Sequence, residues 1–382
     1  MREGWETQTL EKVCERIFAG GDVPKNNLSK FKTDQYTIPI FANGEKNKGL
    51  YGYTDIPKVV DASITVSARG TIGYSEIRNE PFFPIVRLIV LVPNKDIIDL
   101  NFLKYVVSSM EFKKSGTSIP QLTVPMIKKY QANIPPLKEQ KQIVSTLDKA
   151  FKQIDQAKAN LEQNLHNAKE LFQSKLNEVF SQRGEGWVEK TLNEVSLYFG
   201  RGKSKHRPRN DESLFGGEYP FIQTGDVRNS VKYIKAFSQT YNEKGLAQSK
   251  LWKKNTVCIT IAANIAETAI LDIDACFPDS IIGLVVDEKK TTVEFAYYAL
   301  QFLKSTLQAL GKGSAQDNLN MKTFETQYFP FPSIDIQEKI VLLLNELNDR
   351  SLKIQTHYQQ KLNNLEELKK SILQKAFRGE LT

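Results

Sequence analysis

At 382 residues, with 40% apolar and 25% charged side chains, the chain has room for two or more cores and the balance of a globular protein, which excludes a disordered one. Its 52 Lys and Arg against 44 Asp and Glu leave a net +8, a surplus that suits a polyanionic partner without requiring one. Three scattered cysteines, Cys14, Cys258 and Cys276, exclude a disulfide framework or paired-cysteine metal site and fit a reducing compartment.

The N-terminus, Met1-Arg2-Glu3-Gly4-Trp5-Glu6, lacks the apolar core of a signal peptide. The strongest apolar run, Ile85 to Val92, is interrupted by Arg87 and is too short to span a bilayer. A cytoplasmic location with no membrane partner is therefore expected.

The chain repeats itself. Gly4-Trp5-Glu6 returns as Gly186-Trp187-Val188, an offset of 187 − 5 = 182, and the helical pattern after Pro135-Pro136 returns after Phe331-Pro332, an offset of 332 − 135 = 197. Aligned without gaps, 139–181 and 336–378 are identical at twelve of 43 positions, among them Leu147/Leu344, Leu165/Leu362, Leu171/Leu368, Leu176/Leu373 and Phe180/Phe377. A unit this long is a domain-scale duplication, so two copies of one surface can address two sites on one ligand.

In chain order, each copy opens with a short amphipathic stretch, Leu10/Val13/Ile17 and Leu192/Val195/Tyr198, which the glycines at Gly20-Gly21 and Gly200/Gly202 would stop as a helix. A polar, basic loop follows. Strand-like runs come next: Ile38–Phe41, Ser63–Ser67 and Ile85–Val92 in the first copy, Tyr219–Ile222, Thr256–Ile261 and Ser280–Val286 in the second. A helix near Asn101–Ser109 has its counterpart at Glu294–Ser305, and the pairs Phe83-Pro84/Phe277-Pro278 and Phe102/Phe295 keep the copies in step. This predicts an α+β fold with two homologous mixed domains, 1–135 and 183–332, and two long helices, 136–182 and 333–382.

Both helical segments carry a narrow apolar stripe. In the second, Ile340, Leu344, Leu347, Ser351, Ile354, Tyr358, Lys361, Leu365, Leu368 and Ile372 step by alternating threes and fours. The first carries Ile143, Leu147, Ala150, Ile154, Ala157, Leu161, Leu165, Ala168, Phe172, Leu176 and Val179. A narrow stripe needs a partner helix, and the simplest partner is the other copy. A pseudo-twofold axis would make the pair an antiparallel coiled coil separating the two domains.

Catalytic machinery is hard to find. Gly202-Lys203-Ser204 ends like a phosphate-binding loop, but its upstream glycine would fall at Leu197. Phe18-Ala19-Gly20-Gly21 faintly resembles a methyl-donor loop, yet Asn133-Ile134-Pro135-Pro136 has the wrong order for an amino-methyltransferase motif. Pro278-Asp279 followed by Asp287-Glu288-Lys289 imitates a nuclease metal site with tight spacing and no counterpart in the first copy. His166, His206 and His357 are isolated.

What remains is polar and basic. Arg201, Lys203, Lys205, Arg207 and Arg209 alternate, and an extended loop would aim them the same way. The first copy has Lys25, Asn26, Lys30 and Lys32 at the equivalent place, and Asn43, Lys46, Lys48, Arg69, Gln121, Arg228, Asn229, Gln316 and Asn318 occupy further loops. Arg, Asn and Gln can pair bidentately with guanine or adenine edges, while Lys suits phosphate. Any one of these also reads as solvated surface; the signal is the recurrence of polar loops in two diverged copies.

The stretch Gly116-Thr117-Ser118-Ile119-Pro120-Gln121-Leu122, followed by Ile134-Pro135-Pro136-Leu137-Lys138-Glu139-Gln140-Lys141-Gln142-Ile143-Val144, resembles the junction of a target-recognition domain with the first spacer helix of a type I restriction-modification specificity subunit. Gly313-Ser314-Ala315, Asn318-Leu319 and Phe331-Pro332-Ser333-Ile334 through Gln337-Glu338-Lys339-Ile340-Val341 resemble the second junction. Ala68-Arg69-Gly70-Thr71-Ile72-Gly73 and the ending Phe377-Arg378-Gly379-Glu380-Leu381 are similar to that family too, whereas Asn264-Ile265-Ala266-Glu267 departs from it in the second copy.

The resemblance implies a non-catalytic subunit that reads a bipartite double-stranded DNA target and docks two methyltransferase subunits on its helices, with a motor-nuclease subunit completing the complex. It implies no cofactor in this chain; S-adenosylmethionine, ATP and Mg²⁺ would act on the partners. An orphan DNA-binding adaptor and a coiled-coil scaffold without DNA specificity are the other readings the residues leave open.

Overall fold

The computed structural model describes residues 3–113, 120–262, 264–312, 319 and 321–381. The chain folds as two compact units, Met1–Gln163 with Gln359–Thr382, and Asn164–Tyr358. Each holds one mixed α+β part, the opening portion of one long helix and the closing portion of the other. Those helices are Leu137–Ser181 and Ile334–Phe377.

In the first unit the main antiparallel sheet has the order Cys14–Ala19, Ile89–Pro93, Ser63–Val66, Ser75–Arg78. Strand Ile89–Pro93 is buried on both faces: Ile89 and Leu91 join Phe102, Val106 and Val107, while Val90 and Val92 join Val59 and Phe82. Successive side chains leave a strand on opposite sides, so an unbroken apolar run requires cover above and below. Helix Leu100–Ser109 supplies one cover, begun by Asp99, whose carboxylate accepts from the N–H groups of Asn101 and Phe102. A smaller sheet, Leu50–Thr54, Ile38–Phe41 and Phe83–Pro84, flanks the other face, and Glu6–Thr9 pairs with Gln131–Ile134 where the long helix begins.

The second unit repeats this plan with an added strand. Its sheet runs Ser196–Arg201, Ile281–Val286, Val257–Thr260, Thr268–Leu271, Tyr233–Ile234, against helix Val293–Phe302, and Val188–Lys190 pairs with Phe329–Phe331. A phenylalanine in the last turn of each long helix meets the equivalent partner in its unit. Phe377 packs edge-on against Phe102, ring centroids 5.7 Å apart, and Phe180 lies 5.4 Å from Phe295.

Three expectations are corrected. Leu10–Val13 forms a single helical turn, and Cys14–Ala19 then extends as a strand, so Gly20 and Gly202 follow strands and do not stop helices. They are small because chains cross there: a Cβ on Gly20 would stand 2.6 Å from the Pro84 carbonyl carbon, and one on Gly202 would strike the Pro278 carbonyl. Next, Ile85–Val92 is not one strand. Residues 85–88 turn between Phe83–Pro84 and Ile89–Pro93, with Arg87 at the tip.

The third correction concerns the helix seam. Ile143, Leu147 and Ile154 are buried in the first unit's own domain core together with Val144 and Phe151, a face wider than a seam between two helices. Leu365 packs partly buried against that core. Antiparallel pairing is visible in the ion pairs Lys158–Glu366 at 2.6 Å and Lys369–Asp155 at 3.1 Å. In the second unit Leu344 is fully buried, Ile340 packs partly buried beside it, and Ser351 donates to the Ala168 carbonyl at 3.0 Å. Leu161, Leu165, Leu347 and Tyr358 are half-buried, but Ile354 is 43% exposed because it lines a shallow cavity with Leu171 and Phe172. Among the described residues, no helix is long and apolar enough to cross a membrane.

Candidate nucleic-acid interface

In the first unit one side chain staples the loops together. Asn43 donates to the Val86 carbonyl at 2.6 Å and accepts from the Ala68 N–H at 2.7 Å, while the Ser67 hydroxyl accepts from the Gly44 N–H at 3.0 Å. Leu122 N–H bonds the Ala68 carbonyl at 2.9 Å and brings the next segment alongside. Arg69, Arg87 and Gln121 are thereby gathered: Arg69 donates to the Gln121 side-chain oxygen at 3.1 Å, and Arg87 approaches the same atom at 3.5 Å. The Nε of Arg69 is buried with no partner.

Lys46 and Lys48 stand exposed on the adjacent 46–49 turn. Buried Arg78 holds that turn by donating to the Lys48 carbonyl at 2.6 Å, with its guanidinium 3.5 Å from the centre of the Phe41 ring. Burial lowers the Arg78 pKa from its ordinary value. Lys25, Asn26, Lys30 and Lys32 are exposed on a separate loop, tied to strand Leu50–Thr54 by the Ser29–Tyr53 bridge.

The second unit carries a different constellation on the same frame. The five alternating cations do not point one way, because the loop turns at 206–209 instead of extending. Arg207 folds back to donate to the carbonyls of Ser204 and His206, each at 2.8 Å. Arg201 donates to the Asp279 carbonyl at 2.7 Å, and Arg209 to its carboxylate at 2.8 Å. Lys203 and Lys205 remain exposed. Asp211 fastens the turn through Ser213 and His206, and these bonds hold its carboxyl down at about 2.

Arg228 reaches the Asn264 side-chain oxygen at 3.1 Å, joining its helix to the loop that stands where Arg69 stands in the first unit. Asn229 is exposed beside it. Gln316 and Asn318 lie outside the described residues. A cavity of about 550 Å³ opens between Arg209, Asn210, Gln223, Gln239 and Ser280, with Phe215 and Phe221 in its wall. Gln223 donates to Gln239 at 2.6 Å.

Sequence reasoning missed Arg87, which reads as a mere interruption of an apolar run, and Gln223 and Gln239; Asp279 stands out in the sequence as part of an imitation metal site and not as the partner of Arg201 and Arg209.

The profile of the type I restriction modification DNA specificity domain matches twice, at residues 2–167 and 184–364. The chain belongs to this family. A family member from Mycoplasma pneumoniae, a type I specificity subunit, is 36% identical over 149 residues; the match spans 39% of this chain and 40% of that relative's length. The StySPI specificity subunit of Salmonella potsdam is 24% identical over 430 aligned residues, covering all of this chain and 90% of its own. The family fold recurs in a solved chain from work on complex assembly and conformational transition of the type I restriction-modification system, with TM-score 0.82, 19% identity and coverage of 100% of this chain and 99% of that one.

Proposed function

We propose that this chain is the non-catalytic DNA-reading subunit of a type I restriction-modification complex, with each unit contacting one half of a split duplex target. The observation that carries this reading is the pair of loop clusters. They are built on equivalent strands yet filled with different Arg, Asn and Gln side chains, as two unequal half-sites require.

Methyltransferase subunits and a motor-nuclease subunit would bring the S-adenosylmethionine, ATP and Mg²⁺ chemistry. Leu171, Leu342 and Leu343 stay 61%, 70% and 46% exposed on the long helices of the second unit, an apolar surface of the kind protein partners cover. The test is an exchange of residues 1–135 for the corresponding segment of a diverged relative, followed by mapping of methylated sites in a host. One half of the recognised sequence changes and the other is kept; a change in both halves overturns the modular reading.

A further inference from the structure

The turn at 85–88 has an unusual backbone. Val86 and Arg87 both sit in the left-handed region, at φ 51° and 62°, in the manner of the mirror-image hairpin turns that normally take Asn-Gly. For a β-branched residue such as Val86 this is a true outlier, and such strain persists only where neighbours over-determine it. They do here. Val86 N–H bonds the Gly21 carbonyl at 2.8 Å, Arg87 N–H the Gly20 carbonyl at 3.0 Å, Leu88 N–H the Ile85 carbonyl at 3.0 Å, and Asn43 takes the Val86 carbonyl at 2.6 Å.

An Asn-Gly turn would be less strained but would carry no long donor at its tip. What this turn gains is an exposed guanidinium, loosely steadied at 3.5 Å by the Gln121 oxygen that also receives Arg69. A lysine on a mobile loop satisfies a phosphate; an arginine presented from a turn whose backbone is fixed suits the paired acceptors of a base edge.

The second unit has the same turn with opposite chemistry. Gly20 N–H bonds the Leu88 carbonyl and Gly202 N–H the Ile281 carbonyl, each at 2.8 Å, so Leu88 and Ile281 correspond. The turn tip is then Asp279 and Ser280 where the first unit has Val86 and Arg87. No left-handed residue is found there, and Arg209 pairs with the Asp279 carboxylate. The equivalent of Arg87 is then Ser280, with a neutralised anion before it in place of Val86; a cation at one tip and none at the other is the difference expected of a position that distinguishes two half-sites.

We infer that Arg87 is a specificity-determining residue of the first unit: its strained turn presents the guanidinium, with Arg69 beside it, to the O6 and N7 acceptors of a guanine in the major groove. This deepens the DNA-reading proposal and rests on it.

The test uses the purified full-length chain and a pool of randomised duplexes, selecting bound DNA for the wild type, Arg87→Ala and Arg87→Lys. Wild type recovers a two-part motif with guanine at a position in one half. Both variants lose the preference at that position by on the order of tenfold or more, keep the other half unchanged, and Arg87→Lys retains the wild-type salt dependence. If Arg87→Ala weakens all sequences equally and Arg87→Lys restores binding, Arg87 is a phosphate contact and the inference falls. If the variants keep the guanine, it falls as well. A wild type that selects no motif overturns the DNA-reading proposal itself, an outcome distinct from both. Val86→Gly tests the strained turn separately: relief of the left-handed valine raises the melting temperature, and a fall would overturn that part of the argument.

Discussion

Gln140 and Gln337, 337 − 140 = 197 residues apart, are fully buried side chains that make three corresponding hydrogen bonds in separate units. Gln140 donates to the carbonyls of Ile97 and Pro135, both at 2.8 Å, and accepts from the Asp99 N–H at 2.8 Å. Gln337 donates to Lys290 and Pro332 at 3.1 and 2.9 Å and accepts from the Thr292 N–H at 3.0 Å and the Thr291 hydroxyl at 2.9 Å. Asp99 and Thr292 are the residues that cap the helices Leu100–Ser109 and Val293–Phe302. One amide in each unit thus joins the cap of the domain helix to the residues that open a long helix, and fixes the angle at which that helix leaves.

Replacing either glutamine by leucine keeps the bulk but strands two carbonyls and an N–H in a fully buried site. Each unsatisfied group costs about 1–3 kcal/mol, so Gln140→Leu and Gln337→Leu should each lower unfolding stability by about 3 kcal/mol or more. Hydrogen exchange should place the loss in the first unit for Gln140→Leu and in the second for Gln337→Leu. Denaturant curves that move by less than about 1 kcal/mol would show that the bonds are dispensable.

The crossing glycines make a second comparison. Gly20→Ala and Gly202→Ala push a methyl into backbone atoms that cannot rotate aside, and overpacking of this kind costs about 1–3 kcal/mol. Gly225→Ala meets nothing within 4 Å, has no left-handed φ and lies in helix Thr224–Asn229, so it should be neutral or slightly stabilising. Thermal melts of the three variants check the order; equal shifts would refute the close-approach account.

How much of this was legible from sequence follows from which signals are local. The long helices showed themselves through periodicity, and the duplication through the identities that include Gln140/Gln337 and Phe180/Phe377. The turn at Val86-Arg87 was not legible, because its left-handed residues carry neither Gly nor Asn, and tertiary bonds from Gly20, Gly21 and Asn43 impose it. The face is broader than a seam for a related reason. Ile143, Leu147 and Ile154 have heptad spacing, but that spacing also describes one edge of the broader face that includes Val144 and Phe151. In the candidate interface, residue types were readable and partnerships were not: nothing local to Arg201 and Arg209 announces that both meet Asp279, 78 and 70 residues away.

That meeting supports a third prediction. Asp279 neutralises Arg209, so Asp279→Asn should free a cation for phosphate: binding to a non-cognate duplex strengthens, and its dependence on log salt steepens by about one unit. Arg209→Ala should change the slope by a similar amount in the opposite sense. Fluorescence anisotropy across a salt series measures both. Identical slopes for the two variants would place this pair outside the DNA surface.

The last prediction concerns pH. Tyr105 donates to Asp148 at 2.5 Å and Tyr298 to Asn345 at 2.7 Å, in each unit a bond from the domain helix to a long helix. Asn345 is held in turn by Lys232 at 2.6 Å and Glu294 at 2.8 Å. Burial first, then nearby negative groups and, for Tyr105, its bond to Asp148 raise both phenols above the ordinary range, and burial pushes neighbouring Tyr297 up to about 12. The sign follows from linkage: a folded pKa above the unfolded value, about 10 for tyrosine, gives stability that is fully present below that value and is lost as pH rises through the folded pKa. Titrating the phenolate absorbance should therefore leave part of the 14 tyrosines un-ionised at about pH 11, with their release coinciding with loss of helical circular dichroism. Ionisation of all 14 in one step near pH 10, with the circular dichroism unchanged, would contradict the buried-phenol contacts that tie each domain helix to its long helix.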